Sequence, residues 1–253
     1  MKVLITFALA NEFAPWRKLR RFKRVFTPAS DQAFSAQVGL CDVRVVLTGA
    51  GRFAAQRALV HAFDSAPDLC IASGLSGSLK PSYVPGEVLA ARTVGDLNRV
   101  RLHHCDAELV ARAETLGASI VEKFLVSDRV VSTAEEKSTL SASGDAVDME
   151  SLYILAAAAQ RGIRSVAIRA ISDGADSTLP LDFNGVFDER GAVSIPKVIG
   201  QVVRKPGRIA GLLRLANDSE RAAIALAQFL ENYIQSIASG PLPEIEKAEA
   251  LAV

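Results

Sequence analysis

Net charge is almost absent from this sequence. Lys plus Arg number 29 and Asp plus Glu 28, which leaves +1 over 253 residues, so no overall field draws the chain to nucleic acid. A dedicated DNA-binding module is excluded. Long apolar runs are missing too: the longest, 152–159, has eight residues, far short of the ~20 that span a bilayer. Cysteine is scarce, with Cys41, Cys70 and Cys105 widely spaced and no C-x-x-C pair, which excludes a disulfide framework and fits a reducing compartment. No small-residue cleavage site follows the short apolar stretch of MKVLITFALANEF, which reads as a first β-strand and not as a signal peptide. A cytoplasmic protein is therefore expected. Aromatics make up only 6%, with one Trp and three Tyr, so a base pocket built mainly on stacking is not expected. Of the three histidines, His103 and His104 are adjacent and point to different faces of any strand or helix, and only His61 remains; no metal site and no cofactor is expected.

What is present describes a folded chain. Hydrophobic residues reach 49% against 23% charged, incompatible with intrinsic disorder. Apolar segments recur to about residue 238 without repeats or a Gly/Ser linker, so the expectation is one domain over 1–240 and a tail at 241–253. Short β-branched runs at 3–8, 43–48, 69–73, 87–94 and 165–171 read as strands. Ala-rich segments of helical period at 52–63, 107–116, 148–161 and 220–237 read as helices. This alternation predicts an α/β three-layer sandwich around a central mixed, largely parallel sheet. Before the last helix, Pro206-Gly207 opens an amphipathic run that Asn217-Asp218-Ser219 interrupts, with Ser219 as N-cap of the helix at 220–237.

Three strands end in glycine or acid: Thr48-Gly49-Ala50-Gly51, Ser73-Gly74-Leu75-Ser76-Gly77 and Ser172-Asp173-Gly174. Ligands of open α/β sheets bind at such carboxyl ends, which puts all three near one site. The densest chemistry lies in AVDMESLYILAAAAQRGIRSVAIRAISDGAD, residues 146–176. Asp148 and Glu150 sit where a helix begins, so capping and dipole compensation explain them. Asp173 ends a buried strand, where partial burial suits a carboxyl to proton transfer. Arg169 precedes it by two pleats on the same face. It either holds a carboxylate or oxyanion of a ligand, or pairs structurally with Glu12 or Glu150.

The VDMES segment, followed after one helix by IRAISDGAD, the opening strand leading to Glu12, and the ASGLSGSL stretch together resemble the nucleoside phosphorylase and nucleosidase superfamily. Its members include methylthioadenosine/S-adenosylhomocysteine nucleosidases, and the resemblance spans roughly residues 1–190. VVRKPGRIAGLLRLANDSERAAIALAQFL further resembles phosphorylase-like proteins associated with hopanoid biosynthesis. The resemblance implies cleavage of a purine N-ribosyl bond, with Asp173 as the acid that protonates the departing base and Glu150 as acceptor of ribose hydroxyls. Met149 is implied as an apolar contact, Ser172 as an orienter of the acid, Val131 as a backbone contact to the base and Phe183 as a cover over the ligand. Glu12 falls where nucleosidases carry the water-activating base, which points to hydrolysis. Ser73 and Gly74 lie near the nucleophile position, although Leu75 stands where a small hydroxyl residue is usual and Val130 where a stacking aromatic is usual.

The opposing signal is Gly51-Arg52, where amides and a guanidinium would cradle a phosphate co-substrate or the sugar-side nucleophile. Adenine is the base expected, on a 5′-modified adenosine. Phosphorolysis of a purine nucleoside, or of a lipid-linked adenosine such as adenosylhopane, is the alternative reaction, and a non-catalytic nucleoside-binding protein the alternative class. A homo-oligomer is implied by the resemblance alone. Finally, residues 16–24 hold six basic residues, with Phe13, Trp16, Leu19 and Phe22 spaced by three. As a helix this is either a basic surface for an anionic membrane or a solvated helix with its apolar stripe on the core.

Overall fold

The computed structural model describes residues 1–27, 30–98, 100–188, 191–204, 206–238 and 240; the expected tail at 241–253 lies outside them. The chain opens with β1 (Lys2–Phe7), whose apolar side chains are buried on both faces, as a central strand requires. It continues through α1 (Ala10–Arg20), β2 (Lys23–Thr27), β3 (Ser30–Val38), β4 (Cys41–Leu47), α2 (Arg52–Ala62), β5 (Leu69–Ser78), β6 (Val88–Asp96), β7 (Leu102–His104), α3 (Ala107–Thr115) and β8 (Ser119–Val126). After α4 (Ala134–Leu140), β9 (Ala146–Asp148), α5 (Ser151–Ala159) and β10 (Arg164–Asp173), the chain ends in α6 (Ile195–Arg204) and α7 (Ile209–Ala238).

The strands form one mixed sheet in the order β10-β6-β8-β9-β5-β1-β4-β3-β2, with β10 also pairing β5. That extra pairing closes β5, β10, β6, β8 and β9 into a ring, from which β1, β4, β3 and β2 extend. Parallel and antiparallel pairings are equally frequent among the described residues, but the two longest ladders, β10–β5 and β6–β8, are parallel and most paired residues lie in parallel ladders, so the sheet is mixed and largely parallel, as the alternation predicts. Helices α2 and α5 pack together on one side of the sheet, and α1, α3 and α7 on the other.

Three local expectations change. First, the strand expected at 69–73 does not end at the glycine-rich stretch 73–77, because β5 runs straight through it to Ser78. Second, Asn217-Asp218-Ser219 does not interrupt α7, a single helix of 30 residues. Its later half buries Ala222, Leu226, Leu230, Tyr233 and Ile234, and this packing overrides the weak helix propensity of three polar residues. Third, residues 16–24 are not one helix: α1 stops at Arg20, Arg21 takes a left-handed φ of 52°, and Lys23 and Arg24 begin β2. The apolar stripe faces the core, where Phe13, Trp16 and Phe22 pack edge to face with centroids 4.9–6.4 Å apart. Trp16 donates Nε1–H to Glu231 on α7 at 3.0 Å, and Arg20 pairs with the same carboxylate. Only Leu19 of the stripe is exposed, so the membrane-facing alternative loses the apolar face it needs. No helix of the described residues is long and apolar enough to cross a membrane.

Candidate active site

A cavity of about 250 Å³ opens where β1, β5, β9 and β10 end, at the small end of the ~300–1,000 Å³ usual for ligand sites. All three strand ends singled out in the sequence reach it: Ala50 after β4, Leu75, Ser76 and Gly77 in β5, and Ser172 and Asp173 in β10. Glu12, Met149, Glu150, Val131 and Phe183 also line it.

Glu12 enters from the first turn of α1. Its Oε2 accepts the amides of Ala8 at 3.0 Å and Leu9 at 3.1 Å, so it caps its own helix, while Oε1 reaches the Leu75 amide at 3.4 Å. Burial raises its pKa, and the nearby Arg169 and three amides only partly oppose this. Glu150 lies between β9 and α5. Its Oε1 accepts the Gly51 amide at 2.6 Å, and Oε2 faces Arg169 Nη2 at 3.8 Å. Burial, with Asp148 and Glu12 adding repulsion against the pull of Arg169, pushes its pKa up to about 8.

Arg169 is the counter-ion of this group and not a ligand contact. Only 1% exposed, it pairs with Asp148 Oδ2 at 2.8 Å and donates to Ser151 Oγ at 2.9 Å; it does not border the cavity. The expectation of a substrate-binding Arg169 is thereby corrected, and so is its partner, since Asp148 was read as a cap alone. Asp148 does both: its Oδ1 also accepts the amides of Glu150 at 3.2 Å and Ser151 at 3.3 Å.

Ser73 and Gly74 likewise sit beneath the cavity and not in its wall. Gly74 has φ +139°, and a Cβ there would meet Arg169 Nη1 at 2.6 Å and Glu12 Oε2 at 2.9 Å; one at Gly77 would meet Asp173 Oδ2 at 3.0 Å. These two glycines clear room for the charged groups. Ser76 takes the place expected of Ser73: it lines the cavity, and its buried Oγ has no hydrogen-bond partner among the described residues. Gly51 and Arg52, expected to cradle phosphate or the nucleophile, border a neighbouring cavity of about 420 Å³ instead. The Gly51 amide is already committed to Glu150.

Asp173 lies against Gly77, farther along β5. A register shift between Ile171 and Asp173 in the β10–β5 ladder re-aims its side chain out of the strict alternation. Ser172 Oγ lies 2.6 Å from Asp173 Oδ1 and 3.2 Å from the Ser76 carbonyl. On the side away from the cavity, the fully buried Lys137 of α4 forms an ion pair with Asp173 Oδ2, a partner the sequence did not suggest. Elsewhere in the wall, Val130 exchanges backbone hydrogen bonds with the Asn184 side chain at 2.7 and 3.2 Å, next to Val131 and the half-buried Phe183.

Against known families, residues 2–204 match the phosphorylase superfamily. The chain belongs to that superfamily. As such it is a nucleosidase or phosphorylase enzyme. Its fold is similar to Helicobacter pylori 5′-methylthioadenosine/S-adenosylhomocysteine nucleosidase, with a TM-score of 0.72 at 16% identity over 93% of this chain and 98% of that one. The futalosine hydrolase of Helicobacter pylori strain 26695, in a mutant form, gives the same TM-score of 0.72 and 16% identity over 93% and 99%. The S-adenosylhomocysteine nucleosidase of Streptococcus pyogenes gives 0.70 at 15% over 94% and 97%. In this superfamily member, the buried Glu12, Asp148 and Glu150 and the half-buried Asp173 line one cavity.

Proposed function

We propose that the protein hydrolyses the N-ribosyl bond of a purine nucleoside, with adenine as the base and an apolar substituent at the 5′ position. The observation that carries this reading is that Glu12, Glu150 and Asp173 line one cavity, with Glu12 against Gly74 and Asp173 against Gly77 farther along β5. Breaking the bond leaves positive charge on the sugar and negative charge on the base. Carboxylates beside the sugar stabilise the first, and an acid beside the base neutralises the second. Glu150 accepts ribose hydroxyls, Glu12 takes a proton from the attacking water, and the unpartnered Ser76 hydroxyl gives that water or the ribose a further polar contact. Met149 and Phe183 supply apolar walls, Ser172 orients Asp173, and backbone groups of Val131 meet the base edge. Leu9, Val193 and Leu215 are among the other lining residues, beside the polar Asn11, Arg129 and Ser219, and supply the apolar contacts for such a 5′ group.

Hydrolysis is favoured over phosphorolysis because the Gly51 amide is spent on Glu150 and Arg52 lies outside the cavity. Neutral water needs a base, and Glu12 is in the wall to serve as one. The test is a panel of purine nucleosides with varied 5′ groups, incubated with and without phosphate. Free adenine and free sugar independent of phosphate are expected. A sugar 1-phosphate formed only when phosphate is present would overturn the hydrolytic assignment, and ligand binding without base release from any nucleoside would overturn catalysis.

A further inference from the structure

Lys137 is the one charged residue on α4 that is fully buried: its side chain has no exposure, within a helix of only seven residues. An ammonium has three protons to donate, and all three have acceptors here. One goes to Asp173 Oδ2, one to the Gly174 carbonyl at 2.7 Å and one to the Ser177 carbonyl at 3.1 Å. Two of these acceptors are neutral, so the Asp173 carboxylate is the counter-ion. Packing alone does not call for this arrangement, because an apolar side chain of similar volume fills a buried site at no greater cost than an ion pair. The pair is also oriented. Asp173 borders the cavity and Lys137 lies behind it, outside the cavity wall.

A carboxylate paired with an ammonium holds no proton of its own, yet the departing base must receive one. We propose that Lys137 and Asp173 act as a single proton-donating pair, with the Lys137 ammonium as the store and Asp173 as the carrier. As the N-ribosyl bond breaks, its electron pair stays with the base. Lys137 Nζ passes a proton to Asp173, and Asp173 passes a proton to a ring nitrogen. The base leaves neutral, Asp173 is again a carboxylate, and Lys137 is a neutral amine until it recovers a proton from solvent through Asp173 once the site empties. Lys137 never touches substrate and is in that sense a positioning residue, tied by Gly174 and Ser177 to the segment just after the acid.

This inference rests on the reading of Asp173 as the acid, and the measurements separate the two. Should the unmodified protein release no base from any nucleoside, that reading fails. The pairing is still testable in ligand-free protein by ¹⁵N NMR: hydrogen exchange of the Lys137 ammonium is expected to be slow in wild type and faster in Asp173→Asn, which removes the carboxylate partner, and equal rates in the two would overturn the pairing. Where base is released, kcat of the unmodified protein is compared with that of Lys137→Met at each pH, so that the titration of Glu150 and Glu12, common to both proteins, cancels from the ratio.

Lys137→Met is expected to lose ~10²–10⁴-fold in kcat near pH 8, the usual worth of a general acid, and to recover most of it near pH 5. A loss of equal size at every pH in a protein that still melts cooperatively would make Lys137 merely structural. Where Lys137→Met does not fold, Lys137→Arg carries the test, since it keeps the charge but holds its proton too tightly to release it. Wild-type turnover in Lys137→Arg would overturn the proposal; low kcat with an unchanged KM supports it.

Discussion

At the scale of single residues, three buried carboxylates share one buried guanidinium. Asp148, Glu150 and Glu12 all surround Arg169, so their full ionisation leaves excess negative charge out of water. The consequence for Glu150 has a definite sign. Its folded-state pKa is about 8 against 4.5 for a free side chain, so across that window the folded protein holds a proton that the unfolded chain has released. Stability therefore falls as pH rises from about 4.5 to about 8 on account of this group. Glu150→Gln is expected to melt close to wild type at the acid end and higher than wild type at the alkaline end, by about 2–4 °C for each kcal/mol of repulsion relieved. Its base release is expected to drop at least ~100-fold. Calorimetry at the two ends of the window checks the first effect, and a melting difference that does not grow with pH would refute it. Asp173→Asn should likewise lose ~10²–10⁴-fold in base release while keeping a cooperative melt. Among these residues Asp173 was marked in the sequence as an acid ending a buried strand, whereas Glu150 and Glu12 were singled out by the family resemblance of the segments that carry them. Lys137 was not legible, since AEEKSTL reads as an exposed polar helix and nothing local marks the lysine as its buried residue.

At the scale of elements, β5 differs most from its reading, and the physical reason is the double meaning of glycine. Ser73-Gly74-Leu75-Ser76-Gly77 has the composition of a turn, yet the strand persists to Ser78 while pairing β10. The glycines are there because Glu12, Arg169 and Asp173 approach the strand backbone too closely for a Cβ. Sequence alone separates these cases poorly, whereas β1, β4, α2 and α3 were legible from β-branched runs and helical period. Gly74→Ala is accordingly expected to destabilise the protein by about 2 kcal/mol or more, since it combines a φ of +139° with contacts of 2.6 and 2.9 Å. It should also depress base release, because the relaxation available is displacement of Glu12. Denaturant unfolding and a turnover assay on the same preparation check both effects. An alanine variant as stable and active as wild type would show that β5 is held less closely to Glu12 than the distances indicate.

At the scale of the whole molecule, two apolar stripes with similar spacing face opposite ways. The stripe of α1 turns inward, with Trp16 fully buried against Phe7, Phe13 and Phe22 and its indole bonded to Glu231. The stripe of α6 turns outward: Ile195, Ile199 and Val203 are 62%, 56% and 73% exposed, while Gln201 and Lys197 bond the protein through Asp182 and the Phe187 carbonyl. Periodicity reports that a helix has an apolar face but not what that face meets, so the sequence could not separate the two. Energetics can. Trp16→Ala removes a large buried ring and is expected to cost about 3–5 kcal/mol, with part of the loss arising from the Glu231 carboxylate left without its indole donor. Ile199→Lys removes an exposed side chain and is expected to change stability by no more than about 0.5 kcal/mol. Equilibrium denaturation of the two variants under one set of conditions makes the comparison. A loss of several kcal/mol from Ile199→Lys would mean that another surface covers α6 in solution, because among the described residues no packing there remains to be lost.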